Sequence, residues 1–287
     1  MGTATSTPLR YVSSLNTPEA AFGAGLLVSP DGTRLYVSNA ESGTVAVLSI
    51  ADGSLMHTIA ICSTLGHMCF VGNNLLIADN EGCRLAEVTT DGLSVRSIPT
   101  QHRVSAVATN GTLIVAGRCD WQDVAVPTDD SDSSFGSGSK GGRILLYNAH
   151  DGNFMKAFGQ WGTGAGQLRI CAAAHFSTDG LHIIVAGSAV GEGLHVFTTD
   201  GVFVKRVLAG SGIGGPSDFG IFANYIVLAD ANGNAVRVYQ KTNLKLVQEL
   251  QPGEDAFACP TAVTAHGSTL YILNRHCNRV DVFAGKH

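Results

Sequence analysis

The chain has 287 residues, 45% hydrophobic and 14% charged, with 18 Lys and Arg against 23 Asp and Glu. That composition supports a large buried core and excludes a disordered polymer, while the acidic balance and the lack of any basic run argue against nucleic acid as a partner. No run approaches the roughly 20 apolar residues of a membrane helix, so no membrane span is expected.

The N-terminus, Met1 to Pro8, has no basic region followed by an apolar one and is not read as a secretory signal. Gly2 followed by Ser6 fits the N-myristoylation pattern. Only Arg10 stands nearby to supply the second, electrostatic anchor that stable attachment requires, so lipidation is not expected. Seven Cys, an odd number without a Cys-x-x-Cys pair, suit reduced thiols in a cytoplasmic protein. The sequon at Asn110 then marks only a hairpin turn. The first strand-like segment is 9–14, Leu-Arg-Tyr-Val-Ser-Ser.

From there a unit of about forty residues recurs six times, which predicts a closed radial array of β-sheets. Its innermost strands begin near Gly25, Met68, Ser105, Ala172, Asp218 and Thr261. Second strands are predicted over 34–38, 75–78, 112–116, 182–186, 225–229 and 269–273. Third strands follow over 44–50, 84–89, 143–148, 193–198, 235–240 and 279–284, four of them carrying an aromatic at Tyr147, Phe197, Tyr239 and Phe283. Asp-Gly pairs at 31, 52, 91, 151, 179 and 200 tolerate the positive φ of tight hairpins and mark strand ends.

Outer strands are predicted over 55–60, 95–98, 154–158, 203–208 and 246–250, one fewer than six blades need. The chain stops just after the third strand of the sixth repeat. The unassigned segment 9–14 is therefore expected to pair there and cover its open edge. The expected fold is all-β: a six-bladed β-propeller of four-stranded antiparallel blades, forming a single domain over 1–287.

The residues at the turns carry a family resemblance. The segment 158–168, Phe-Gly-Gln-Trp-Gly-Thr-Gly-Ala-Gly-Gln-Leu, resembles the connector between NHL repeats. Segments 228–239 and 273–283 resemble the strands of such repeats, with Asn39 and Asn274 where the family usually carries Asp. The first blade, 28–39, is similar to the YVTN type of propeller repeat, and blades two and three depart from the NHL pattern. The resemblance implies a six-bladed architecture and is compatible with binding modules and enzymes alike.

Blade three alone has a long insertion between its second and third strands, 119–142. It holds five Asp and one Lys, a net of −4, which leaves the rest of the chain at −1. Its Ser/Gly-rich second half reads as flexible, whereas Trp121, Val124, Val126 and Pro127 are apolar enough to dock. Loops of this class share a face with the connectors that lead into the innermost strands, around the mouth of the central channel. The Asp130–Ser134 stretch is no calcium loop, because Phe135 stands where the sharp-turn Gly is needed.

On that face the sequence should bring together Asn39, His67, Asp79, Asn80, His102, Arg103, Arg118, Asp218, Asp230, Asn274 and His276, with Trp121 as an aromatic anchor. Asp and Asn at strand ends also cap turns, which is the competing use of these residues. Amidating lyases, similar in fold, place metal-binding His where the innermost strands begin; here His67 alone stands there, with His175 deeper in its strand. Calcium-dependent lactonases use Glu, Asn and Asp, for which Glu19, Asn39, Asp79 and Asp230 are the matching residue types. A Gly-x-Ser-x-Gly elbow is absent, and the Gly-rich runs 162–166 and 210–215 precede no helix, so they are connectors rather than phosphate cradles.

The expected function is a non-catalytic module that binds a protein or peptide on the channel face, with a small-molecule ligand as another occupant. No cofactor and no metal are expected. The alternative is a metal-dependent hydrolase or lyase with a divalent cation in the central channel, held by the Asp/Asn/His cluster.

Overall fold

In the computed structural model, residues 8–18, 23–61, 63–119, 143–208, 210 and 212–285 are described. Among the described residues the first strand is β1 (Leu9–Asn16). Blade one follows as β2 (Gly23–Val28), β3 (Arg34–Asn39), β4 (Thr44–Ser49) and β5 (Leu55–Ala60). Blade two comprises β6 (Leu65–Val71), β7 (Asn74–Asp79), β8 (Arg84–Val88) and β9 (Ser94–Pro99). Blade three comprises β10 (Val104–Thr109), β11 (Leu113–Arg118), β12 (Ile144–Asn148) and β13 (Phe154–Phe158). Blade four is β14 (Cys171–Phe176), β15 (His182–Gly187), β16 (Leu194–Thr198) and β17 (Phe203–Val207). Blade five is β18 (Pro216–Phe222), β19 (Tyr225–Asp230), β20 (Ala235–Gln240) and β21 (Leu246–Glu249). Blade six is β22 (Pro260–His266), β23 (Thr269–Asn274) and β24 (Arg279–Gly285), completed by β1 in the order β1-β24-β23-β22.

Six sheets of four antiparallel strands, with no α-helix among the described residues, make this the fold of a six-bladed β-propeller. No helix among the described residues is long and apolar enough to cross a membrane. The chain groups into two compact units, Met1–Cys62 with Gly214–His287, and Ser63–Ile213. The first holds blades five, six and one; the second holds blades two, three and four. The expected N-terminal strand is β1, pairing antiparallel along β24 from Leu9 opposite Gly285 to Asn16 opposite Arg279.

The aromatic of the repeat has a mechanical reason. Each third strand slips register against its outer neighbour at the same place, beside Leu48, Val88, Tyr147, Phe197, Tyr239 and Phe283. The extra residue of each bulge (Met56, Val95, Met155, Val204, Val247 and Val12) lies on the outer strand and is exposed, while the third-strand aromatics beside it fill the core: Tyr147, Phe197 and Phe283 are each 1% exposed. Second and third strands are buried on both faces, which is why they read as apolar runs rather than alternating ones, whereas the outer strands are largely exposed.

Neighbouring blades within a unit share cores. In the first unit, Val227, Val236 and Val238 pack with Leu270, Ile272 and Phe283 between blades five and six, and Leu35, Val37 and Leu48 pack with Leu273 and Val280 between six and one. In the second, Leu76 and Leu85 join Ile114 and Tyr147, and Val115 and Leu146 join Ile183 and Phe197.

The six Asp-Gly turns behave as the sequence suggests, their glycines lying at φ between +71° and +90°. The turn from second to third strand also needs a left-handed residue. Blade one supplies Gly43 (φ +65°), blade five Asn234 (+49°) and blade six Asn278 (+52°), but blade two supplies Cys83 at +47°. A Cβ there costs about 1 kcal/mol that Gly avoids and Asn partly offsets through local hydrogen bonding. Cys83→Asn is therefore expected to raise the melting temperature by about 2 °C, and Cys83→Val to lower it; thermal unfolding followed by circular dichroism measures both.

Candidate functional site

The sequence-selected residues cluster where second strands end, and within each unit the structure assigns them distinct tasks. In the second unit Asp79 closes β7. Its Oδ1 accepts the Gly82 N–H at 2.8 Å and its Oδ2 accepts Arg84 Nε at 2.6 Å, with the carboxylate fully buried. A Cβ on Gly82 would collide with that carboxylate, so the glycine is required by the close approach of the acid. In the first unit Asp230 closes β19 in the same way. It accepts the N–H groups of Gly214 (2.8 Å), Gly215 (2.9 Å) and Gly233 (2.9 Å), and Arg237 Nη1 at 2.7 Å.

Asn39 accepts the Glu41 and Ser42 N–H groups, both at 2.9 Å, and caps its turn. Asn274 accepts the Ala258 N–H at 2.9 Å and donates from Nδ2 to Asp281 Oδ2 at 2.8 Å. Asp281 also accepts Ser14 Oγ at 2.5 Å and pairs with Arg279 Nε at 2.8 Å. Asp218 accepts the N–H of Phe219 through one oxygen and of Val263 through the other, both at 2.8 Å, tying β18 to β22. Asp79, Asp218 and Asp230 are thus backbone caps, whereas Asp281 is held by side chains, and Asp79, Asp230 and Asp281 are each matched to an arginine. A buried carboxylate is tolerated in a fold only with such partners.

The remaining candidates are more accessible. His67 is half-buried in the bulge at the start of β6, where Gly66 lies directly against the Ser105 backbone. Asn80, next to Asp79, donates its amide to Cys119 Sγ, and the Cys119 N–H donates to the Arg103 carbonyl at 3.0 Å. Arg118 ends β11, its N–H donating to the Arg143 carbonyl at 2.8 Å. The structure therefore brings Asn80, Arg103, Arg118 and Cys119 together at one corner of blades two and three, where the insertion departs. Arg103 is exposed there, and Arg118 is half-buried. In the first unit His276 is exposed on a 3₁₀ turn, Arg275–Cys277, with its N–H donating to the Ala258 carbonyl at 3.1 Å. His102 is half-buried before β10, its carbonyl accepting Thr100 Oγ1 at 2.7 Å. Trp121, Glu19, Gly2 and residues 120–142 lie outside the described residues.

Among the described residues, no group of three or more His, Cys, Asp or Glu is placed to hold a metal ion. Thiol chemistry is disfavoured by burial: it pushes Cys69 up to about 12 and Cys171 further up, and it also raises Cys259.

Sequence reasoning missed one recurring device. In the bulge at the start of three inner strands a hydroxyl donates to the first carbonyl of the next blade. Ser105 Oγ reaches Cys171 O (3.0 Å), Ser217 Oγ reaches Pro260 O (2.8 Å) and Thr261 Oγ1 reaches Gly23 O (3.0 Å). The signal was available as Ser or Thr recurring at one repeat position, but its meaning depends on a register that periodicity alone leaves open.

No protein-family model matches the chain, and no curated protein matches it either. Among solved structures it is similar to a structural genomics protein of unknown function from Bacteroides thetaiotaomicron, at a TM-score of 0.70 and 11% sequence identity, over 97% of this chain and 76% of that one. At that identity the likeness shows the fold alone.

Proposed function

We propose that this propeller is an NHL-like, non-catalytic module that captures a protein or peptide partner in the cytoplasm. The observation that carries the reading is the use of the acids. Asp79, Asp218 and Asp230 are buried and bonded to backbone N–H groups, two of them also to arginine, which leaves them as framework. The chemistry left facing outward is the hydrogen-bonding and cationic corner of Asn80, Arg103 and Arg118, beside an insertion whose Trp121 suits an aromatic anchor. The Asp-x-x-Gly turns at 79–82 and 230–233, each answered by an arginine, support kinship with NHL repeats. No disulfide joins the six described cysteines to one another, which suits a reducing compartment.

The alternative, a divalent-cation hydrolase, would require Asp79 or Asp230 to exchange Arg84 or Arg237 and a backbone cap for the ion, a rearrangement that no feature of the turns favours. Elemental analysis of chelator-free protein separates the two readings, since a stoichiometric divalent ion would favour the hydrolase.

The direct test compares the full chain with two variants, a deletion of residues 120–141 and Arg103→Glu. A partner is cross-linked and recovered from the source organism, and its binding isotherm is then measured against all three. Deletion is expected to weaken binding by about tenfold or more, and the charge reversal by a smaller factor. Binding unchanged in both variants would sink the proposal.

A further inference from the structure

Blade four departs from the pattern of blades two and five. Where Asp79 and Asp230 close their second strands, β15 ends in Gly187. The missing carboxylate comes from Glu192, which folds back over Gly187 so closely that a Cβ there would strike it, and accepts the Ala189 N–H at 3.3 Å through Oε2. Its Oε1 is buried without a well-formed hydrogen bond, the Arg169 backbone giving the carboxylate only weak help. Two residues before the third-strand aromatic, blades five and six carry charge, the half-buried Arg237 and the buried Asp281, each matched by an opposite one. Blade four carries His195 there, fully buried, with neither ring nitrogen hydrogen-bonded. Buried polar atoms are nearly always satisfied, so three orphans in one corner need an explanation.

The surroundings supply it. His195 lies between Phe197 and Phe203, at 6.5 Å and 6.1 Å between ring centroids. Phe203 in turn carries the connector that leads into blade four: a Cβ on Gly166 would stand 3.0 Å from its ring. That connector, residues 160–168, is closed on itself through the Leu168 N–H to the Gln160 carbonyl at 2.8 Å and a bridge between Gln160 and Gln167. It is held down by Arg206 Nη1, which donates to the Thr163 carbonyl at 3.0 Å. Arg206 stands opposite His195 across the β16–β17 pairing. The connector therefore rests on Phe203, which packs on His195, is tied by Arg206, and carries Trp161, 43% exposed.

We propose that residues 160–168 form an acid-released clasp, shut over a neutral His195 and opened when that imidazole takes up a proton. An imidazolium in this corner faces the Arg206 cation and has only the Glu192 backbone carbonyl as a weak acceptor, so it is accommodated by gaining water, which means unseating Phe203 and the connector above it. Burial first, then the Arg206 charge, hold His195 down at about 4 against an ordinary 6.5, with the Glu192 backbone pulling weakly the other way. The closed state is thus fully favoured above pH 6.5 and loses its advantage as pH falls towards 4, by up to about 300-fold in the closing equilibrium. Glu192 works in the opposite sense. Burial raises its carboxyl, against weaker help from the Ala189 and Arg169 backbones and the Arg169 and Arg206 charges, so protonating it at low pH favours the closed state.

The test is hydrogen exchange by mass spectrometry on the full chain between pH 7.5 and 4, corrected for intrinsic rates, with Trp161 fluorescence in a Trp121→Phe background. Peptides covering 160–168 and 203–207 are expected to lose protection reversibly, with a midpoint between pH 6.5 and 4, before the other blades do. His195→Leu should abolish that transition, and Glu192→Gln should make it steeper. The same transition in His195→Leu, or an exchange rise spread uniformly over all blades of the wild type, would overturn the proposal. The second readout stands even if the leucine variant fails to fold.

Discussion

Asp230→Ala is expected to destabilise the protein by about 4–5 kcal/mol, among the largest effects any single substitution should have here. The side chain is fully buried and accepts four hydrogen bonds, from the N–H groups of Gly214, Gly215 and Gly233 and from Arg237. Alanine removes the acceptor without removing the donors. Three backbone N–H groups and a guanidinium only 15% exposed are then stranded, and an unmet buried donor costs about 1–3 kcal/mol. Water entering the space recovers part of that, which keeps the total below the simple sum. Asp230→Asn keeps the shape and one acceptor oxygen, and should cost roughly half as much. Removing the partner as well tests the mechanism: Arg237→Leu combined with Asp230→Asn should be less damaging than the two single effects added, because the unpaired cation is gone. Urea midpoints for the four proteins measure this, and strict additivity would show that the pair is not coupled.

The physics of repetition decides what was legible beforehand. Asp-Gly turns, Val-aromatic endings and apolar middle strands are local signals, each set by one residue's backbone preference or one blade's packing, so they survive translation into strands almost unchanged. Even the role of β1 followed from local facts: one spare strand at one end and one missing at the other. The candidate site was legible only as a set of polar residues at strand ends. Whether Asp79 faces a ligand or its own turn depends on Gly82 being three residues later and Arg84 five, a pattern that reads equally well both ways until the register is known. Blade four was less legible still. Gly187 looks like the plain end of a strand, Glu192 like a loop residue and His195 like an alternating polar position. Only pairing β15 with β16 shows that Glu192 has taken over the place of the aspartate and that His195 occupies the site of Arg237.

Removing residues 1–16 should lower the melting temperature by more than about 10 °C and drive the protein into oligomers, because β1 is the outer strand of blade six and supplies three kinds of contact at once. Leu9, 1% exposed, belongs to the core shared with Phe283, and burying such a side chain contributes about 2 kcal/mol. Tyr11 meets Phe283 edge-on at 5.7 Å. Ser14 donates to Asp281 at 2.5 Å, one of the bonds that keep that buried carboxylate matched. Together these exceed about 5 kcal/mol, and for a domain of this size each kcal/mol moves the melting point by about 2–3 °C. The truncation also uncovers the N–H and C=O groups of β24, an apolar edge available for pairing with another chain. Size-exclusion chromatography beside calorimetry separates the two consequences. Ser14→Ala alone should cost only about 1–2 kcal/mol and leave the protein monodisperse, since the edge stays covered. A truncated chain that melts at the wild-type temperature would mean that β24 needs no neighbour, and that the strand at the start of the chain contributes nothing to the sheet at its end.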